Sequence, residues 1–220
     1  MVLGIIFAFA QALTWSGTSI VLRNLSTRLD PFMVNGVRAI FGLIILIPIL
    51  ILTADLQDYQ LLSGTALVYL IGSVVLGGVF GDAMYVASLK ILGVGVAFPI
   101  SNVFPLFTVI FSVLLLGDRI EWPTLVGMVL VLVGIYFVAR PRGSVHGASD
   151  TPLPSRRLVS GILAALGAAV LWGLNTVVLS MGIQGINGAV ANSVRMPAVI
   201  LISLDRKSTR LNSSHDSASR

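Results

Sequence analysis

The feature that most restricts this chain is a succession of seven apolar runs, at roughly 3–22, 31–53, 64–89, 95–116, 123–139, 158–181 and 188–204, separated by charged or turn-forming residues. A hydrocarbon core of ~30 Å is crossed by about 20 helical residues at ~1.5 Å each, so each run can be a membrane span. Soluble domains carry about 25% charged residues, whereas this chain is 10% charged and 56% hydrophobic, with mean hydropathy +0.97. The ~10-residue alternation of barrel strands is missing from the runs. The expected fold is therefore all-α, a polytopic membrane helical bundle.

The same runs exclude several functions. A pI of 10.2 does not mark a nucleic-acid binder, because the basic residues stand singly or in pairs at the ends of runs and form no stripe. There are no cysteines, so disulfides, thiolate metal sites and thiol catalysis are excluded. No HExxH, P-loop or GxSxG is present, and the Gly93-x-Gly95 pair lacks the strand–turn–helix context of a nucleotide site. An intramembrane aspartyl protease needs two carboxylates; only Asp82 is deep within a run, and Phe80-Gly81-Asp82 lacks one glycine of GxGD. No cofactor, metal or catalytic residue is expected. The N-terminus has no basic segment before its first apolar run, which is read as a retained span.

Residues 205–220, DRKSTRLNSSHDSASR, break off from the seventh run abruptly. Back-translated, DRKSTRLNSSH matches a sequencing-library adapter. The segment is therefore expected to be an artefactual, disordered tail, and the native protein to continue where the adapter begins.

Residues 4–47 align without gaps with 161–204 at a constant offset of 157. The 11 identities in these 44 pairs include Trp15/Trp172, Asn35/Asn192 and Arg38/Arg195. The offset encloses five runs, an odd number, so the second copy enters the membrane from the opposite side. Inverted repeats of this kind place a substrate site near the bilayer midplane between the halves. The expected organisation is a five-helix repeat over 1–139, a polar linker over 140–157 and the start of a second repeat over 158–204. Completing that repeat gives a protein of ten helices and roughly 300 residues.

Three segments carry a resemblance: ALTWSGTSIVLRNLS with VNGVRA, ASLKILGVGVAFPISNVFPLFTVIFSVLLLGDRIEW, and GMVLVLVGIYFV. With the Trp172-Gly173 pair, they resemble the EamA-like ten-helix branch of the drug/metabolite transporter superfamily. Asp118 stands where that family usually has Glu, and Ser16 follows Trp15 where the family has Gly. The resemblance implies a membrane carrier of small metabolites by alternating access, and leaves the substrate unnamed.

Polar groups inside a bilayer are costly and turn toward the bundle interior or a cavity. The candidate substrate-binding or coupling residues are accordingly Trp15, Asn35, Arg38, Asp82, Tyr85, Asn102, Trp172, Asn175, Asn192 and Arg195. Gln11, Thr14, Trp15 and Thr18 share one helical face. Pro99 and Pro105 are candidate helix kinks, since each removes a backbone donor; a merely bent helix and one opened beside a cavity both fit. Counted from their helix ends, Arg38 and Asp82 lie about 10–12 Å in from the same membrane side. This predicts an ion pair, with Asp82 either coupling transport to H+ or another ion, contacting substrate, or forming a static pair. Small residues at four-residue spacing, Gly161, Ala165, Ala169 and Gly173, are matched by Gly4, Ala8, Ala12 and Ser16, and both stripes suit close helix packing, as does Gly77-x-x-x-Gly81.

Arg23, Arg28, Lys90, Arg140, Arg142, Arg156 and Arg157 fall on one membrane side, and Arg119 on the other with Asp55, Asp58, Asp118 and Glu121. The positive-inside rule then places the linker in the cytoplasm and the N-terminus outside, whereas the resemblance implies both termini inside. His146 reads as a solvated loop residue. The expected protein sits in the cell membrane, surrounded by lipid, as a secondary transporter. A lipid or polyprenyl-carrier flippase, a non-transporting scaffold and a membrane enzyme are the alternatives.

Overall fold

The computed structural model describes residues 2–54, 56–139 and 154–218. Most of the linker, with Arg140, Arg142 and His146, lies outside the described residues, as does Asp55. All regular structure among the described residues is helical. Helix α1 is Val2–Ser26 and α2 is Pro31–Thr53. Asp30 caps α2 by accepting from the Phe32 amide at 3.0 Å, and Pro31 occupies the first turn, where a missing N–H costs nothing. After the short α3, Leu56–Gln60, Ser63 caps α4, Gly64–Ser73.

The third run does not form one regular helix. α4 passes into a π-helical stretch, Val74–Gly81, and continues as α5, Asp82–Leu92. The fourth run is broken outright. α6, Val94–Ser101, ends at Asn102, and α7, Phe104–Leu116, begins two residues on with Pro105 in its first turn. The prolines explain the place: Pro105 cannot donate back to Ser101, and the residue before a proline disfavours helix. α8 is Trp122–Ala139, α9 is Ser155–Gly182 and α10 is Gly188–Ala218.

Among the described residues, four segments are long and apolar enough to cross a membrane: Pro31–Thr53, Gly64–Leu92, Val94–Leu116 and Ser155–Gly182, with shorter apolar stretches at Trp122–Phe137 and Gly188–Ser203. The large side chains of Leu3, Leu13, Leu52, Val68, Leu114 and Leu201 point outward. An apolar exterior over helices whose backbone bonds close internally is what a bilayer requires of a polytopic bundle.

α9 is the central post, packed against α4, the π stretch, α5, α6 and α7. Its small-residue stripe is what permits this: Gly161, Ala165, Ala169 and Gly173 are all buried. α2 packs lengthwise on α10. Side consistency follows helix counting, since Arg23 at the end of α1 donates to the Leu89 carbonyl at the end of α5, and Asn187 donates to the Thr53 carbonyl at 2.9 Å at the opposite side.

Two expectations are corrected. The matching stripe on α1 does not pack: Gly4, Ala12 and Ser16 are exposed, and a Cβ on Gly4 would meet nothing within 4 Å. Small residues permit close approach but supply no partner; α1 leans on its neighbours through Trp15, Ser19 and Leu22 instead. The expected disorder of residues 205–218 is the second correction, because α10 runs through Leu204 to Ala218. Residues 205–218 contain neither Gly nor Pro, so nothing in the local sequence stops a helix already under way.

Candidate functional site

Beside α9, between α1, the start of α5, the broken fourth run and α8, lies a cavity of about 640 Å³. α1 contributes Gln11, Trp15 and Ser16, α5 contributes Asp82, and the fourth run contributes Phe98, Pro99, Asn102 and Phe104. α9 supplies Trp172, Asn175 and Thr176, and α8 closes the wall with Val131, Gly134 and Ile135.

Glycines set the close approach of the third run and α9. A Cβ on Gly81 would lie 2.9 Å from Trp172 Cδ1, and one on Gly77 would lie 2.5 Å from Asn175 Cγ. Gly77 and Gly81 thus seat two cavity side chains of α9. The register slip of the π stretch also frees backbone carbonyls. The buried Asn35 of α2 reaches across and donates through Nδ2 to Gly78 O at 3.3 Å and Val79 O at 3.5 Å. π segments are often found at functional sites, and here the slip sits immediately before Asp82.

Asp82 is 7% exposed and its carboxylate is doubly bound. Arg38 of α2 forms an ion pair with Oδ2, and Trp172 Nε1 donates to Oδ1 at 2.8 Å. The Arg38 guanidinium also lies over the Trp15 ring, 5.7 Å from its centroid, a cation–π distance. Tyr85 donates to Ser19 Oγ at 2.8 Å, and Ser19 passes the chain on to the Trp15 carbonyl at 2.8 Å. Trp15 and Trp172 of the wall meet edge to face at 5.8 Å, and Tyr85 packs behind both, stacked on Trp15 at 6.1 Å and 5.0 Å from Trp172.

Of the residues singled out in the sequence, Trp15, Asp82, Asn102, Trp172, Asn175 and Pro99 line this cavity. Arg38 and Tyr85 stand directly behind it, held to Asp82 and Trp15. Asn35 braces the π stretch. Asn192 and Arg195 of α10 form a second polar knot with Asn175, Arg195 donating to Asn192 Oδ1 at 3.1 Å and Asn175 Oδ1 at 3.3 Å. Pro105 starts α7 away from the cavity. Thr14 and Thr18 turn back onto their own helix, donating to the Ala10 and Thr14 carbonyls at 2.8 Å each. Sequence reasoning missed Ser19, Thr176, Phe98, Phe104 and the contribution of α8. Ser19 was findable, one turn from Trp15; α8 offers only apolar residues and Gly134, which carry no signal.

The buried Asp82 carboxylate thus sits in a cavity walled by aromatic rings and side-chain amides. Residues 2–140 match the model of the EamA-like transporter family. The chain belongs to that family. Among similar proteins are two described as uncharacterized transporters. The one from Archaeoglobus fulgidus is 27% identical over 96% of this chain and 70% of its own length. The one from Clostridium kluyveri is 28% identical over 87% of this chain and 60% of its own. An S-adenosylmethionine uptake transporter from Rickettsia conorii is 28% identical over 71% of this chain, which spans about half, 49%, of that relative. No solved structure matches the chain. This EamA-like protein is thus a membrane protein of a transporter family, and the names of its relatives point to transport rather than catalysis.

Proposed function

We propose that this protein is a multi-pass secondary transporter of the cell membrane, which moves small metabolites by alternating access between two inverted repeats. The first repeat is 1–139, the second begins at 158, and 140–157 is the hinge. The observation that carries the reading is the meeting of repeat equivalents across the cavity. Trp15 and its counterpart Trp172 touch edge to face. α2 and its counterpart α10 pack on each other, and the contacts are reciprocal. A Cβ on Gly42 would lie 3.2 Å from Met196, and Ala39 and Val199, the respective repeat equivalents of Met196 and Gly42, share one buried cluster. A two-fold axis lying in the membrane plane produces this exchange of partners.

Trp172 belongs to the second repeat and Asp82 to the first, so their hydrogen bond ties the halves together in this state. Opening the cavity to the other side requires parting them. Protonation of Asp82 weakens the tie and the pair with Arg38 together, which makes H+ the favoured coupling ion. A small metabolite with a flat ring suits the aromatic wall, and the likeness to S-adenosylmethionine uptake transporters supports that class of substrate. A carrier and a lipid flippase are separated by reconstitution. In liposomes the protein is expected to pass a water-soluble substrate such as S-adenosylmethionine down its gradient and to leave a fluorescent lipid in its leaflet. Scrambling of lipid without metabolite flux would refute the carrier reading.

A further inference from the structure

The slip in the third run centres on one carbonyl. In a regular helix the Asp82 amide donates to the carbonyl four residues back, that of Gly78. Here it donates to Gly77 O and Val79 O, so the Gly78 carbonyl loses its regular partner. Asn35 of α2 takes that carbonyl through Nδ2 at 3.3 Å, and reaches Val79 O at 3.5 Å. A side chain from another helix thus stands in for the backbone amide of Asp82. Asn35 is fully buried, and its Oδ1 has no partner. A buried acceptor without a donor is unfavourable. An apolar residue would therefore suit this place better if the third run were regular, and the amide is useful only while a passed-over carbonyl is there to fill.

The slip in turn sets the place of Asp82. One extra residue is absorbed ahead of it, and an extra residue turns whatever lies beyond it by about 100° and moves it ~1.5 Å along the axis. In this register the carboxylate lines the cavity, pairs with Arg38 and accepts from Trp172 Nε1. With the extra residue absorbed after Asp82 instead, Gly81 would stand in the place of Asp82, and Asp82 in that of Ala83, turned off the indole.

We propose that Asn35 is a positioning residue for Asp82: by filling the Gly78 carbonyl it holds the slip ahead of Asp82, and so fixes the register in which the carboxylate lines the cavity and meets Trp172. Asn35 touches no solute in this role. What the placed carboxylate does in transport rests on the carrier reading above; its placement rests on the geometry of α2 and the third run.

Deleting one residue of the π stretch removes the need for the slip, and separates this role from ordinary packing. Thermal unfolding in detergent is compared for Asn35→Leu, for the chain lacking Gly78, and for the two changes together. Asn35→Val and deletion of Val75 replace whichever first variant folds poorly. In the intact chain Asn35→Leu is expected to lower the unfolding temperature by roughly 3–6 °C. In the chain lacking Gly78 the same substitution is expected to raise it, because only the partnerless acceptor is then lost. An equal loss in both chains would mean that Asn35 merely packs, and overturns the proposal. A second arm reads Asp82 itself. Trp172→Phe keeps a ring and removes the indole donor. It is expected to lower the unfolding temperature of the intact chain, to do so by roughly half as much or less beside Asn35→Leu, and to regain its full effect when Gly78 is also deleted. Strict additivity of positions 35 and 172 overturns the placement of Asp82 by Asn35. Neither arm needs a solute, so both stand apart from the carrier reading. In liposomes, S-adenosylmethionine uptake is expected to fall roughly tenfold or more in Asn35→Leu and to recover with the deletion. Uptake undiminished by Asn35→Leu overturns the proposal, whereas no uptake by the intact protein, with both stability arms as expected, sustains the placement and counts against the carrier reading.

Discussion

Gly173→Ala is expected to be among the most damaging single-methyl changes in this protein. The added Cβ would fall 2.6 Å from Phe107 Cβ, 2.8 Å from the Thr108 amide nitrogen and 2.9 Å from the Phe107 carbonyl carbon. Two of those three atoms are backbone, so no rotamer change relieves the clash. α9 and α7 must separate, and α7 forms part of the cavity wall. Overpacking of a tight contact costs about 1–3 kcal/mol and occasionally more; with backbone on the other side, the upper end applies. Gly127→Ala on α8 is the control, because nothing lies within 4 Å of its Cβ position. Thermal unfolding in detergent is expected to drop markedly for Gly173→Ala and to stay unchanged for Gly127→Ala. Gly4→Ala gives a further contrast with its repeat equivalent. Gly161 is tight against Leu92, at 2.6 Å from its Cγ, and Gly4 is open.

The second large effect belongs to Asp82. Asp82→Asn preserves volume and keeps an oxygen for the Trp172 indole, but removes the charge that faces Arg38. The side chains are 10% and 32% exposed, so the arginine left behind is partly screened. Leaving one partner of a fully buried pair costs about 3–5 kcal/mol, and the exposure of Arg38 brings the expectation down to roughly 2–3 kcal/mol. Arg38→Met alone is expected to be as damaging, because it strands the carboxylate. The double variant Arg38→Met/Asp82→Asn is expected to recover part of the loss, the mark of a coupled pair in a double-mutant cycle. Function separates coupling from architecture. Uptake by Asp82→Asn is expected to be impaired and to lose its dependence on pH, even where the double variant restores stability. Unimpaired uptake with no pH dependence would sink a coupling role and leave a static tie.

Much of this was readable from residues alone. Helix counting places side chains by depth, which is why the pairing of Arg38 with Asp82 is legible in the sequence. The gapless offset marked Trp15 and Trp172 as equivalents, but that the two rings meet edge to face was not readable from it. The π stretch was not readable, because its residues, Val74–Gly81, are as compatible with a regular helix as with a slipped one. What selects the slip is tertiary: Asn35 on α2 accepts the burden of the freed carbonyls, and α9 needs Gly77 and Gly81 to seat Asn175 and Trp172. The stripe on α1 shows the converse limit, since a pattern of small residues says where a helix could approach and not whether one does.

The central claim is that a water-filled cavity for a small solute lies inside a lipid-facing bundle, between α1, the fourth run and α9. Cysteine accessibility tests it directly. Ala12→Cys and Asn102→Cys place thiols on the cavity wall, and Leu114→Cys places one on the exterior, where the native side chain is 71% exposed. In nanodiscs, the first two are expected to react with a membrane-impermeant methanethiosulfonate and to be protected by bound solute, while Leu114→Cys stays unreactive in lipid. Cavity thiols that react no faster than the one at position 114 would contradict the account.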